Sequence, residues 1–397
     1  MRRLAIDRRE FLAAAAIGLV ASSRVMAATP KLRVAAIGNT LRGKFGHDVD
    51  KIWLSEPETE IVAVADPDAE GLEAAKKRLN VDQGFADYRQ MLSVARADIV
   101  AVCPRYVDEH HDMIMAAIDS GARGIYVEKP ICRTPAEADH IVGACTKKNV
   151  KLAIAHRNRY HPALPVIARL IKEGAIGKVI ELRGRGKEDD RGGPVDLWVL
   201  GSHVINLGYF LAGNPKACSA TLLQDGKPAT SSDLREGDDA VGPVVGNELH
   251  ARYELESGVP MFFDSVKKAG NPKAGFGLQV IGSEGIIDIR IDAKNYAHLV
   301  PGNPFMPTNT ARPWTPITSA GLGVPEPIDD VHQQMQSHHL AAHDLILAMS
   351  ENRQPLCSAA DGATIVESVC AAFASHRAGG KRVEMPLTDR QQPLAGW

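Results

Sequence analysis

Several large functional classes are excluded by what the chain lacks. Its 46 Lys and Arg against 48 Asp and Glu give a net charge of −2. No basic stripe of the kind that neutralises phosphates is present, which excludes nucleic acid as a partner. The six cysteines (Cys103, Cys132, Cys145, Cys218, Cys357 and Cys370) include no CxxC pair. Their even count would allow pairing in an oxidising compartment, but a chain that folds in the reducing cytosol keeps them mostly as buried thiols. GxSxG, HExxH and Walker patterns are absent, as are internal repeats. His339 and His343 stand one helical turn apart near His332 and His338, yet no acidic or cysteine ligand follows at a recognisable spacing, so no metal is expected.

What is present is a chain of 397 residues, 45% hydrophobic and 24% charged. These are ordinary globular values, and the length suits two domains after any leader. A leader is legible in residues 1–27, with Arg8-Arg9-Glu10-Phe11-Leu12, an apolar stretch from Phe11 to Val20 and a small-residue site at Val25-Met26-Ala27. Five arginines against Asp7 and Glu10 give these residues a charge of +3, which leaves −5 on the rest of the chain. The stretch is too short to span a bilayer, no second run of membrane length follows, and Arg24 after it suits the twin-arginine route. The expected destination is the periplasm, reached already folded through the twin-arginine machinery, with no membrane contact in the mature form.

Apolar runs at Lys31–Ile37, Glu60–Ala65, Asp98–Cys103, Gly124–Val127 and Lys151–Ala155 alternate with helical segments at Asp48–Ser55, Ala69–Leu79, His110–Ser120 and Pro135–Lys148. Continuous apolar strands between helices predict a doubly wound parallel sheet over residues 31–155, with its ligand at the carboxyl ends of the strands. After Ala155 the pattern changes. Helices at Pro162–Glu173 and Trp198–Leu211 precede alternating runs at Leu249–Leu255, Val259–Val266, Leu278–Ile281 and Ile286–Ile291, and helices at Leu340–Ser350 and Gly362–Arg377 close the chain. The expectation for 156–390 is an α+β domain on a large, mostly antiparallel sheet. The proline-rich stretch 301–327 is expected to be extended and largely without regular structure.

Gly38-Asn39-Thr40-Leu41-Arg42-Gly43 lies where the first strand meets a helix, a position suited to pyrophosphate. Thr40 stands where GxGxxG has its second glycine. Asp66 ends the second strand, where a carboxylate accepts from ribose hydroxyls and repels a 2′-phosphate, which favours NAD over NADP.

Further along come Val127-Glu128-Lys129-Pro130 after His110 and Gly121-Ala122-Arg123-Gly124, then Arg157–Pro162 (RNRYHP), Gly174–Val179 (GAIGKV), Gly201–Asn206 (GSHVIN) and Gly282–Gly285. With Ala65-Asp66-Pro67, these motifs make the chain resemble the glucose-fructose oxidoreductase and inositol dehydrogenase (Gfo/Idh/MocA) family from Lys31 to about Leu387. The resemblance implies an NAD(P)-dependent oxidoreductase acting on a carbohydrate or cyclitol hydroxyl, with Lys129 beside the reacting hydroxyl and His203 as an acid or base. Asp196 is a third catalytic candidate, because Val199 occupies the position four residues before the histidine where many relatives carry aspartate. Pro104, Arg105, His110, Glu128, Lys129 and Arg157 join the turn and Asp66 as expected cofactor contacts, and Arg159, Tyr160 and Asn206 as expected substrate contacts. The resemblance also implies a homodimer or homotetramer.

Export folded, away from the cytosolic dinucleotide pool, would require tightly bound NAD and a reaction that closes on itself. Two enzymatic cycles meet that requirement: reoxidation by a second substrate, or transient oxidation within glycoside cleavage. A non-catalytic sugar-binding protein is the reading from another class.

Overall fold

The first sheet has six parallel strands: β1 (Leu32–Ile37), β2 (Thr59–Ala65), β3 (Gly84–Phe85), β4 (Ile99–Val102), β5 (Gly124–Val127) and β6 (Lys151–Ile154), in the order β3-β2-β1-β4-β5-β6. This is the doubly wound order, whose direction reverses between β1 and β4. The computed structural model describes residues 30–271 and 275–397, of which 32–397 form one unit. The leader expected over 1–27 lies outside the described residues.

Strands β4, β5 and β6 are buried at every position, as runs covered on both faces must be. Helices α1 (Ala69–Leu79), α2 (Tyr88–Ala95), α3 (His110–Asp119) and α4 (Pro135–Lys148) form the connections. Their caps explain their ends. The Asp68 carboxylate accepts from the Gly71 amide at 2.7 Å and Asn80 closes α1 in the left-handed region, while Thr134 caps α4 ahead of Pro135.

One expected helix is missing. Asp48–Ser55 is irregular apart from a 3₁₀ turn at Ile52–Leu54. Lys44, Gly46 and Asp48 all adopt positive φ, near 60°, which an α-helix cannot accommodate. The segment is pinned by side chains instead. Arg78 on α1 binds the buried Asp50 carboxylate at 2.6 Å and covers the Phe45 ring at 4.5 Å, and Trp53 meets Tyr126 edge-on.

The second sheet is large and mostly antiparallel, as expected. Its path runs β18-β17-β16-β15-β14-β7-β13-β12-β8-β19, with β9 paired to β8. The strands are β7 (Val179–Arg185), β8 (Pro215–Gln224), β9 (Lys227–Pro228), β12 (Glu248–Leu255), β13 (Pro260–Val266), β14 (Gly277–Gly282), β15 (Gly285–Arg290), β16 (Ala297–Pro301), β17 (Thr315–Thr318), β18 (Gly321–Leu322) and β19 (Val383–Glu384). Only β7 and β13 pair in parallel. A separate ribbon of β10 (Leu234–Glu236) and β11 (Pro243–Val245) carries residues 237–242 at its tip. The proline-rich stretch is largely without regular structure, as expected, apart from the short β17 and β18, which extend the edge beyond β16.

Helix α5 (Ala163–Lys172) follows the first sheet, and α6 (Ser202–Ala212) lies against the second. Two further helices, α7 (Val331–Gln336) and α8 (His339–Glu351), lead to α9 (Ala359–Arg377), which opens on a Ser358–Asp361 capping box. The end of the chain returns to the first sheet, where the Ile154 amide donates to the Cys357 carbonyl at 3.1 Å. All six cysteines are buried and unpaired.

The stretch Pro194–Ala212 is long and apolar enough for a membrane span but is mostly buried inside the protein. It is not one continuous α-helix. A turn at Pro194–Asp196 passes into a π-helix at Leu197–Gly201 before α6 begins. Gly201, at the end of the π-helix, packs directly on Phe263, where a Cβ would stand 2.3 Å from the ring. We therefore expect Gly201→Ala to cost about 1–3 kcal/mol by overpacking. A lower urea midpoint at unchanged slope would confirm this, and an unchanged midpoint would contradict it.

Candidate active site

The carboxyl ends of β1, β4, β5 and β6 meet α6 and the tip of the β10–β11 ribbon around a cavity of about 230 Å³. Lys129, His203, Arg105 and Arg157 line it together with His47, Arg191, Leu200, Asp238, Asp239 and Asp292. The first four come from motifs far apart in sequence.

Lys129 lies two residues after β5 and is nearly buried, 8% exposed, with its Nζ donating to the Val199 carbonyl at 2.9 Å. Thus the residue in place of the expected aspartate serves through its main chain. Burial lowers the lysine pKa, partly opposed by the Glu128 charge. The Glu128 carboxylate pairs with His47 and accepts from the Lys129 amide at 2.9 Å. Burial pushes the Glu128 pKa up, but the hydrogen bond and charge of His47 outweigh it and hold the carboxyl well below the usual range.

His203 is 7% exposed, and its Nδ1 lies 3.4 Å from Nδ1 of His156, the rings meeting edge to face. Burial is the main reason that both imidazoles favour the neutral form, reinforced by the Lys129 charge; the His156 pKa falls to about 3 and that of His203 well below the ordinary value. A neutral pair bonded through the two Nδ1 atoms requires opposite tautomers, so one ring donates and the other accepts.

Acid–base pairs close the walls. Arg157 grips Asp292 with two bonds, at 3.0 and 2.7 Å, and donates to the Gln336 carbonyl, so three of its five N–H groups are taken up by protein. Arg105 reaches across to Asp239 at 3.1 Å. Asp239 and Ala240, at the ribbon tip, both adopt left-handed φ near 55°.

Several expected contacts are placed elsewhere. The Asp66 carboxylate is fully buried and accepts from the Thr40 amide and hydroxyl and from the Asp68 amide, so it holds the glycine turn. Arg42 pairs with Asp108 at 2.7 Å, and Asn39 donates to Glu109. His110 bridges the Pro104 and Pro130 carbonyls, 2.7 Å each, fastening the loop after β4 to the loop that carries Lys129. It is a buried staple and has no surface for a cofactor.

Asp196 is likewise fully buried, accepting from the Glu188 amide and from Ser265 Oγ at 2.6 Å, and it does not line the cavity. The π-helix that follows it breaks the α-helical register that would have aligned it with His203. Arg159 stacks on Phe210 at 3.7 Å, Tyr160 donates to the Ile154 and Cys357 carbonyls, and Asn206 donates to Cys357 Sγ; none of the three lines the cavity. The four C-terminal histidines do not form a cluster around one point. His338 bonds Tyr126, His339 pairs with Glu56, and His332 lines another cavity.

Whether the turn suits a dinucleotide is answered by its free groups. Asn39 and Lys44 bond each other, Arg42 bonds Asn39, and the Thr40 amide goes to Asp66, while the Leu41 and Gly43 amides have no acceptor among the described residues. Asn39 Oδ1 is buried without a partner. Donors are therefore left at the switch point between β1 and β4, where such a ligand binds, although no helix dipole stands behind them. The glycines themselves serve packing. A Cβ on Gly38 would strike the Phe45 ring, and one on Gly43 the Arg105 amide at 2.5 Å.

The polar residues missed in the sequence include His47, His156, Asp238, Asp239 and Asp292. Only His156 carried a signal, since it directly follows the last parallel strand, where ligand-facing residues sit.

Comparison with known proteins places this geometry. Residues 32–156 match the Gfo/Idh/MocA model, described as an oxidoreductase family with an NAD-binding Rossmann fold. The chain is 24% identical over 343 residues to levoglucosan dehydrogenase of Pseudarthrobacter phenanthrenivorans, covering 77% of this chain and 84% of that one. It is 26% identical over 367 residues to D-apiose dehydrogenase of Paraburkholderia graminis, covering 88% and 90%. Among solved structures, levoglucosan dehydrogenase in complex with NADH and L-sorbose superposes with a TM-score of 0.70 at 21% identity, over 90% of this chain and all of that one.

The buried histidines make stability depend on pH. His156 protonates near 6.5 when unfolded and near 3 when folded, so its contribution is complete above pH 6.5 and is lost as pH falls towards 3. His156→Phe should flatten the loss of unfolding free energy between pH 6 and 4 by up to about 1.4 kcal/mol per pH unit. Urea titrations across that range would refute this if the two slopes coincided.

Proposed function

We propose, from the NAD-binding oxidoreductase fold of residues 32–156, that this chain is an NAD-dependent oxidoreductase acting on a hydroxyl-bearing carbon of a small carbohydrate or cyclitol. The observation that carries this reading is the convergence of Lys129 and His203 on one cavity at the carboxyl ends of the parallel strands. When bound, NAD supplies hydride-transfer chemistry at that carbon. The glycine turn, through its free Leu41 and Gly43 amides, would hold the phosphates.

The chain's own groups supply the rest. Lys129, fixed on the Val199 carbonyl, has further N–H donors for the reacting oxygen, and its charge favours oxygen that becomes negative. His203 is neutral and so can take the hydroxyl proton. If its Nδ1–H donates to His156, its Nε2 lone pair is the accepting site, and His156 then orients the base as a carboxylate would. Arg105, Arg157 and Arg191 with Asp238, Asp239 and Asp292 offer both donors and acceptors to a polyol. The cavity falls below the ~300–1,000 Å³ of drug-sized pockets, which suits a single ring. The sugar dehydrogenases among the relatives support the substrate class.

Further parts of the reading rest on sequence. The Arg8-Arg9 leader supports export to the periplasm, and with it tightly held NAD recycled in place. Assembly as a homodimer or homotetramer through the second sheet fits the half-exposed Arg183, His250 and Arg252 on its strands.

Lys129→Ala and His203→Ala should each lower turnover by roughly 10²–10⁴-fold, followed as sugar-dependent change in nicotinamide absorbance. Unchanged turnover in either variant, on a sugar that the wild type oxidises, would remove that residue from the site. Release of aglycone from an aryl glycoside without added acceptor would replace simple oxidation by redox-neutral glycoside cleavage. Dinucleotide released only on denaturation would support tight retention, and protein purified empty that binds NAD weakly would overturn it.

A further inference from the structure

A second, larger cavity of about 700 Å³ lies in the antiparallel domain, where residues 294–297 meet β17, the 323–328 segment and the start of α7. It shares no lining residue with the reacting cavity, and nothing in the reaction described above uses it.

Its most informative group is His161, which is 5% exposed and lines the cavity. The imidazole Nδ1 accepts from the Ala163 amide at 3.1 Å, so Nδ1 carries no proton. Burial lowers the pKa to about 4, which leaves the ring neutral at ordinary pH. The single ring proton is therefore on Nε2. That N–H has no acceptor among the described residues, and it remains accessible to a ligand in the cavity. The ring is held in place by parallel stacking on Tyr296, centroids 4.0 Å apart and planes 9° apart, and the tyrosine hydroxyl is already spent on the Asn158 carbonyl.

Other groups define what the donor could meet. His332 Nδ1 is buried without a partner. The Glu326 carboxylate is fixed in place by the Ser319 hydroxyl and by the amides of Ser319 and Ile328. Lys294 is opposed by Glu326 and Asp330, and Ile317 and Val324 supply apolar surface. An anionic ligand would meet two carboxylates, and a purely apolar one would leave both imidazole nitrogens unpaired. An uncharged molecule with hydroxyls on its rim and C–H groups on its faces satisfies both demands.

We propose that this cavity is a saccharide-binding site separate from the reacting cavity, taking a neutral sugar ring whose hydroxyl oxygen accepts from His161 Nε2–H. The ring is either a free sugar or one unit of a longer glycan. This goes beyond the oxidoreductase reading and does not depend on it, because binding here requires neither dinucleotide nor Lys129.

Isothermal titration of the full chain with methyl β-D-glucopyranoside and with cellotetraose tests this. Binding should persist in Lys129→Ala and weaken at least tenfold in His161→Phe, which keeps the stacking and loses the donor. Val324→Trp, which fills the cavity from its exposed rim, should weaken it similarly and serves if His161→Phe fails to fold. Tighter binding of cellotetraose would assign a glycan chain, and equal binding a free sugar. Binding unaffected by His161→Phe and Val324→Trp, or abolished by Lys129→Ala alone, would overturn the proposal. Absence of binding by either saccharide in protein that still turns over would overturn it while leaving the oxidoreductase reading standing.

Discussion

A single buried ammonium organises the reacting cavity. Taking the Lys129 charge out of water is costly, and the cost is bearable only if the group is hydrogen-bonded. Its fixed partner is the Val199 carbonyl, and the adjacent Glu128 carboxylate is engaged by His47 and by the main chain of Lys129. The ammonium is therefore held by a dipole and keeps donors free. Its charge also acts on its neighbours, reinforcing the burial that keeps His156 and His203 neutral. The proposed roles, a lysine that stabilises negative oxygen and a histidine that accepts a proton, both rest on that one placement.

Much of the surrounding structure keeps Lys129 in position. His110 fastens the loop that follows it to the end of β4. The π-helix brings the Val199 carbonyl within reach from the second domain, and Phe263 with Gly201 makes room for it. Arg157–Asp292 and Arg105–Asp239 then tie the first sheet to the second domain on either side. These four groups neutralise each other in pairs, so the walls remain polar without adding net charge to a site that already holds an ammonium.

The parallel sheet and its helices were legible because each signal was local. Ala69–Leu79, Gly124–Val127 and Pro135–Lys148 have the same bounds in sequence and structure, since caps and apolar runs are written in adjacent residues. The helix expected at Asp48–Ser55 was not formed because left-handed residues at Lys44, Gly46 and Asp48 turn the chain, and contacts with Arg78 and Tyr126 from elsewhere hold it. The surroundings of Asp66 and Asp196 were illegible for a related reason. A carboxylate at a strand end or on a helix face reads as available for ligand, but whether it is already occupied depends on loops distant in sequence, here those of Thr40, Lys187 and Glu188.

The two-sheet architecture and the switch point beside the glycine turn were legible in the sequence, because strand periodicity and spaced motifs are properties of short segments; Lys129 and His203 were singled out by resemblance. Only the tertiary structure decided which polar residues face the cavity. It joined His47 to Glu128, set His156 against His203, brought Asp239 and Asp292 from the second domain, and turned Tyr160, Asn206 and Asp196 inward. Local sequence gives a side chain its chemistry. Its free valences are settled when distant segments pack, since each buried donor and acceptor takes a partner within about 3 Å whatever its distance along the chain.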